Sequence, residues 1–176
     1  MFTVSPEDTK SRQEKSLRYK FYETLLSATL LCLICSQRYA GFLLLIFTPF
    51  LLVWLLFSLY IVYKKPELKK WQLGRIGIWI TCILIVLGMH KYYEINARKN
   101  ANDVIDLIER YRSEHGNYPK NYMDIGMDQQ KLRDKCGIFC FFSHEKEAQL
   151  TYAGTFIIHS FYTYDFNTKK WEFLDD

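Results

Sequence analysis

From Leu25 to Tyr63 the chain runs for 39 residues in which Gln37 and Arg38 are the only strongly polar side chains. As one helix that stretch is about 58 Å long at about 1.5 Å per residue, nearly twice a hydrocarbon core of about 30 Å. A single span cannot use it. Two spans can, if the chain turns at Ser36-Gln37-Arg38-Tyr39. A third apolar run, Ile76 to Met89, follows a basic loop. The expected membrane region is therefore residues 21–90, with spans at about 21–36, 39–63 and 76–90. A tail of residues 1–20 precedes it, and an extramembrane domain of residues 91–176 follows. Pro49 falls inside the second span, where neighbouring helices can re-satisfy the freed carbonyl.

Charge agrees with that division. Residues 1–96 carry 12 Lys/Arg against 6 Asp/Glu, whereas residues 97–176 carry 11 against 13. The positive excess thus flanks the hydrophobic runs, which argues for membrane topology and against nucleic-acid binding. The tail contributes Lys10, Arg12, Lys15, Arg18 and Lys20, and the second loop Lys64, Lys65, Lys69, Lys70 and Arg75. The first loop has only Arg38, and Lys91, Arg98 and Lys99 follow the third run. Three spans put both groups of five on one side, so the expectation is a cytoplasmic N-terminus and an external C-terminal domain. The first apolar run begins late and lacks a small-residue cleavage site, so no cleavable signal peptide is expected. The spans hold no ionisable side chain away from their ends, which argues against a transporter.

The C-terminal half reads as α+β. Ala97, Ala101, Val104, Ile105, Ile108 and Tyr111 recur at spacings of three and four, one apolar stripe on a helix. No Gly or Pro interrupts Met89–Glu114, so the third span is expected to continue as one helix from about Arg75 to Ser113. It should end where His115-Gly116-Asn117 offers a left-handed cap and Pro119 blocks continuation. A short helix is expected near Asp128–Arg133. Runs at Gly137–Phe142, Gln149–Tyr152, Thr155–Tyr164 and Lys170–Leu174 are rich in Phe, Tyr, Ile and Thr and read as strands of a small antiparallel sheet. Ala153-Gly154 reads as a turn, and Asp165–Lys169 as a hairpin loop.

The segment Ala97–Pro119, with Ile108-Glu109-Arg110-Tyr111-Arg112 and His115-Gly116-Asn117-Tyr118-Pro119, resembles the helix-to-loop junction of type IV pilins and type II secretion pseudopilins. The closing Phe161–Asp165 and Lys170–Glu172 are similar to the final hairpin of pilin-like domains. The resemblance covers about residues 97–176 and implies a long helix packed on an antiparallel sheet in the periplasm of a bacterium; the expected spans then place the anchor in the inner membrane. In pilins the helix follows a leader ending in Gly and has a Glu in the fifth position of its apolar stretch. Ile76–Met89 contains no Glu.

Chemistry-bearing residues are sparse. Cys32, Cys35 and Cys82 fall in spans and read as small apolar packing groups, although Cys32-x-x-Cys35 has redox spacing. Cys136 and Cys140 lie outside under the expected topology, where an oxidising compartment favours a disulfide between them. Cys136, Cys140 and His144 are too widely spaced for a zinc site and lack a fourth ligand. Asp124, Asp128 and Asp134 are too loosely spaced for a calcium loop. His90, His115, His144 and His159 are isolated, and no nucleophile elbow or phosphate-binding glycine loop occurs. No enzymatic activity, cofactor or metal is expected. The expected partners are membrane lipid and another protein, a toxin to be neutralised or a secretion component. Strand alternation divides the aromatics between two faces, and Phe161, His159, Tyr162, Tyr164 and Trp171 are the candidate partner-binding residues.

Overall fold

The computed structural model describes residues 6–136, 141–143, 148–156 and 160–175. The chain divides into two compact units, residues 1–88 and 89–176. The cut falls two residues before the boundary expected from sequence.

The first unit is helical. Helix α1 spans Pro6–Cys35, α2 spans Phe42–Lys64, and α3 begins at Lys69 after a single 3-10 turn, Pro66–Leu68. The described part of the expected tail is helical, and α1 runs without interruption from Pro6 into the apolar stretch. Two helical stretches among the described residues are long and apolar enough to cross a membrane, Phe42–Lys64 and Pro66–His115. α1 falls short because Arg18, Lys20 and Glu23 interrupt it, leaving about 17 Å of uncharged helix from Leu25 to Cys35 with Ser27 and Thr29 included. α2 continues through Pro49. The turn between α1 and α2 places Tyr39 at φ 72°, in the left-handed region.

Packing within this unit uses small residues and a few polar groups. A Cβ on Gly74 would meet the Phe21 ring at 3.2 Å, so glycine is what lets that ring approach α3. Cys82 Sγ donates to Ala28 O at 3.3 Å. Cys35, Leu44 and Val86 form a buried cluster, one residue from each helix. Cys82 also lies beside Cys32, so the three expected packing cysteines converge.

The second unit is one helix face covered by a sheet. α3 continues to His115, where Gly116 at φ 79° donates its N–H to Arg112 O at 2.8 Å. His115 stacks on Tyr111 with centroids 4.1 Å apart. Pro119 is buried beyond the cap. A 3-10 turn at Tyr122–Ile125 is held by a capping box between Asn121 and Asp124. α4 spans Gln129–Cys136, one turn beyond the expected helix. Four strands follow: β1 Phe141–Ser143, β2 Gln149–Ala153, β3 Ser160–Asp165 and β4 Lys170–Asp175. They pair antiparallel in the order β1-β2-β3-β4. β3 and β4 are joined by the Phe166–Lys169 turn, with Asp165 paired to Lys170. Asp165 accepts from the Asn167 N–H at 2.8 Å and the Thr168 hydroxyl at 2.9 Å; those bonds hold its carboxyl below the usual range.

The core contains five of the six expected stripe residues, Ala97, Ala101, Val104, Ile105 and Ile108, together with Leu132, Leu150, Tyr152 and Phe166; the sixth, Tyr111, is half-buried and stacks on His115 instead. Ala97 and Ala101 are the smallest members, and rings from the sheet share the cluster with them. Each fully buried Ile or Leu there contributes about 1.5–3 kcal/mol.

Candidate functional site

Register decides which aromatics share a face. Tyr152 pairs with Tyr162, and Tyr162 with Phe173; Leu150 pairs with Tyr164, and Tyr164 with Trp171. All of these stand on the face whose members pack against α3. Phe161 stands on the other face, opposite Ala153 and Leu174. The candidate partner-binding residues are therefore not one surface: Tyr162, Tyr164 and Trp171 are half-buried toward the helix, and Phe161 faces away. His159 lies outside the described residues. So do Cys140 and His144, and nothing of the Cys136 side chain is described, so the expected disulfide lies there too.

The helix-facing rings form a continuous aromatic layer. Tyr152 stacks on Tyr162 at 5.3 Å and meets Trp171 edge-on at 5.3 Å. Tyr164 bridges Trp171 and Phe166, and Phe166 meets Tyr118. Polar groups of α3 border this layer. Tyr162 donates its hydroxyl to Glu94 Oε1 at 3.2 Å, and Trp171 Nε1 donates to Asn102 Oδ1 at 3.3 Å. The Arg98 guanidinium lies 5.7 Å from the Trp171 ring centroid. Glu94, Arg98 and Asn102 are one turn apart each on α3. Arg112 similarly covers the Tyr118 ring and donates to its hydroxyl.

Burial raises the hydroxyl pKa of Tyr118, Tyr162 and Tyr164; the Glu94 carboxylate adds to the rise at Tyr162, whereas Arg112 opposes it at Tyr118. Tyr152 is pushed up to about 12, chiefly by burial. Its residue is 1% exposed and its hydroxyl oxygen is buried without a hydrogen-bond partner.

His90, near the start of this unit, is buried as well. Its Nδ1 lies 3.2 Å from Thr155 O, and the Thr155 hydroxyl donates back to His90 O at 3.3 Å. Phe156 closes on the imidazole edge-to-face at 5.0 Å. This pairing ties α3 to the loop after β2, a long-range contact that periodicity does not reveal. Among the described residues no three His, Cys, Asp or Glu side chains are placed to hold a metal ion.

One exposed apolar feature among the described residues is the end of β4. Among the described residues it is an edge strand of the sheet, hydrogen-bonded to β3 and to no other strand. Phe173 is 54% exposed although it shares the aromatic face and meets Tyr162 at 5.0 Å. Leu174, on the opposite face, is 51% exposed. Two large apolar side chains thus flank one stretch of backbone edge that no other strand covers among the described residues. Sequence alternation flagged the aromatics but gave no sign that β4 lies at an edge. No protein-family model, curated protein or solved structure matches this chain.

Proposed function

We propose that this chain is a membrane-anchored, non-enzymatic protein-binding protein. Residues 1–88 hold it in a bilayer, and the C-terminal unit binds another protein along the β4 edge. The observation that carries this reading is the exposed pair Phe173 and Leu174 on an edge strand. An edge strand offers a row of backbone donors and acceptors that an incoming strand can complete, and flanking apolar side chains supply the specificity pockets. The partner is a protein that presents an extended segment: an antibacterial toxin neutralised by binding, or a secretion component.

The anchor in this reading has three spans, α1 being the short one, thinned against or snorkelled by Lys20 and Arg38. Ten basic residues in the N-terminal segment and the second loop, against four in the first loop and after the third span, support a cytoplasmic N-terminus and a periplasmic domain on a bacterial inner membrane. A phosphatase fused after Asp176 is expected to be active, and a reporter that works only in the cytoplasm silent there. The reverse pattern overturns the orientation.

A second reading is a pilin-like structural component of a secretion or pilus system. It is favoured by α3, a 47-residue helix whose first part is apolar and whose second part packs on an antiparallel sheet. Photo-crosslinking separates both from an inert domain. A crosslinking amino acid at position 173 or 174 of the full chain is expected to give one discrete protein adduct, which Leu174→Lys abolishes when the crosslinker is at 173, with none from position 123, which is 78% exposed elsewhere. Equal labelling from all three positions would refute binding at β4. An adduct to a second copy of this chain supports the structural reading.

A further inference from the structure

The helices of the first unit line a half-open cavity of about 660 Å³, within the range of about 300–1,000 Å³ usual for small-molecule sites. Its lining joins the ends of the basic segments. Lys20 comes from α1, Lys65 from the loop after α2, and Arg75 from α3. Sequence places these residues 45 and 10 positions apart; only the packing of three helices brings them to one cavity. Trp54, Phe57 and Ile61 of α2 supply an apolar wall.

Arg75 is fixed in place. Its Nε donates to Thr24 Oγ1 at 2.7 Å, and Nη1 donates to Gln72 Oε1 at 3.3 Å. The guanidinium lies 5.4 Å from the Trp54 ring centroid. Thr24 and Gln72 are both buried, so the cation is braced from two helices and has donors left over. One carboxylate, Glu23, also lines the cavity, leaving an excess of two positive charges over the full set. Two other clefts between the same helices contrast with this one. Those lined by Thr48 to Ile83 and by Leu25 to Ile85 contain no charged side chain.

We propose that this cavity is a binding site for one anionic phospholipid. The phosphodiester sits among Lys20, Lys65 and Arg75, and an acyl chain lies along Trp54, Phe57 and Ile61. Charge and shape both call for this occupant. A cationic mouth continuous with an apolar wall between membrane helices matches an amphiphile with an anionic head, and basic pockets between spans take such heads. Arg suits phosphate because its planar fork bonds two oxygens at once. A free phosphate ion would use the cations and leave the apolar wall unfilled. The site stands or falls independently of the partner bound at β4, and of which compartment the basic end faces.

The test uses the full chain, delipidated in detergent, titrated with short-chain phosphatidylglycerol or phosphatidylcholine and read by native mass spectrometry. One phosphatidylglycerol per chain is expected to bind, outcompeting phosphatidylcholine. Lys20→Gln with Lys65→Gln is expected to weaken it by about 30-fold, from two cations lost near a headgroup. Both lysines are exposed, so the double variant should keep the parent's melting temperature, measured in parallel. Arg75→Gln is expected to weaken binding further. Equal affinity for the two lipids overturns the proposal, as does an unchanged affinity in the folded double variant. Displacement of phosphatidylglycerol by inorganic phosphate at equal concentration would assign the site to a free ion instead and overturn the lipid assignment.

Discussion

Replacing Tyr152 by Phe should stabilise the C-terminal unit, the reverse of what deleting a hydroxyl from a core tyrosine ordinarily does. The ring is 1% exposed, and its oxygen is buried with no hydrogen-bond partner. A buried hydroxyl left unpaired costs about 1–3 kcal/mol of desolvation, which Phe avoids while keeping the ring contacts to Tyr162 and Trp171. Taking the low end, about 1 kcal/mol, the shift in melting temperature follows from size. The unit has 88 residues, so its unfolding entropy is about 0.18 kcal/mol/K and the gain is about 5 °C. The pH dependence provides a second, independent reading. Tyr152 has its pKa raised to about 12 in the fold, against about 10 in the unfolded chain. A raised pKa contributes stability that is complete below pH 10 and is lost as pH climbs from about 10 to about 12. Across that window the unfolded chain holds one proton fewer at this site, so the wild type loses about 1.4 kcal/mol per pH unit that the Phe variant does not lose. The variant's advantage should therefore grow from about 1 kcal/mol at pH 8 to about 2 kcal/mol at pH 11. Melts followed by fluorescence of Trp171, with Trp54, Trp71 and Trp79 replaced by Phe, report this unit alone. A variant that melts lower at pH 8 would show that the hydroxyl is bonded. An advantage that does not change between pH 8 and pH 11 would show that burial does not hold it neutral.

Thr151 Oγ1 and Thr163 Oγ1 are buried 2.9 Å apart on the other face of the sheet. Either Thr→Val alone should cost about 1–3 kcal/mol and the pair together close to nothing, giving a strongly non-additive double-mutant cycle in chemical denaturation. Gly116→Ala should cost about 1 kcal/mol, because φ is 79° while the space around the new Cβ is empty; Gly126→Ala, at φ 71°, should match it in the same melts. Cys136 and Cys140 should resist alkylation in denaturant until a reductant is added, and ready labelling of both beforehand would eliminate the bridge.

The apolar stripe of α3 was legible because a helix repeats every 3.6 residues, so Ala97, Ala101, Val104, Ile105 and Ile108 had to share a face. Strand alternation likewise separated Phe161 from Tyr162 and Tyr164, and Gly116 before Pro119 marked the helix end. These are local rules, and the chain obeys them locally. The start of α1 was not legible, because Pro6–Lys20 has no apolar face of its own. It is helical because adding residues to an existing helix avoids the cost of nucleation, and the segment from Phe21 onward provides the nucleus. Alternation also assigns two faces to a sheet without saying which one is covered. That was decided by α3, whose stripe takes Tyr162, Tyr164 and Trp171 and leaves β4 at an edge with Phe173 and Leu174 exposed. Glu94, Arg98 and Asn102 acquire partners only when the sheet brings tyrosine and tryptophan donors and a ring face against them. The cavity depends on assembly most of all. Lys20, Lys65 and Arg75 belong to three segments, and no periodicity within one segment carries information about charges gathered from three.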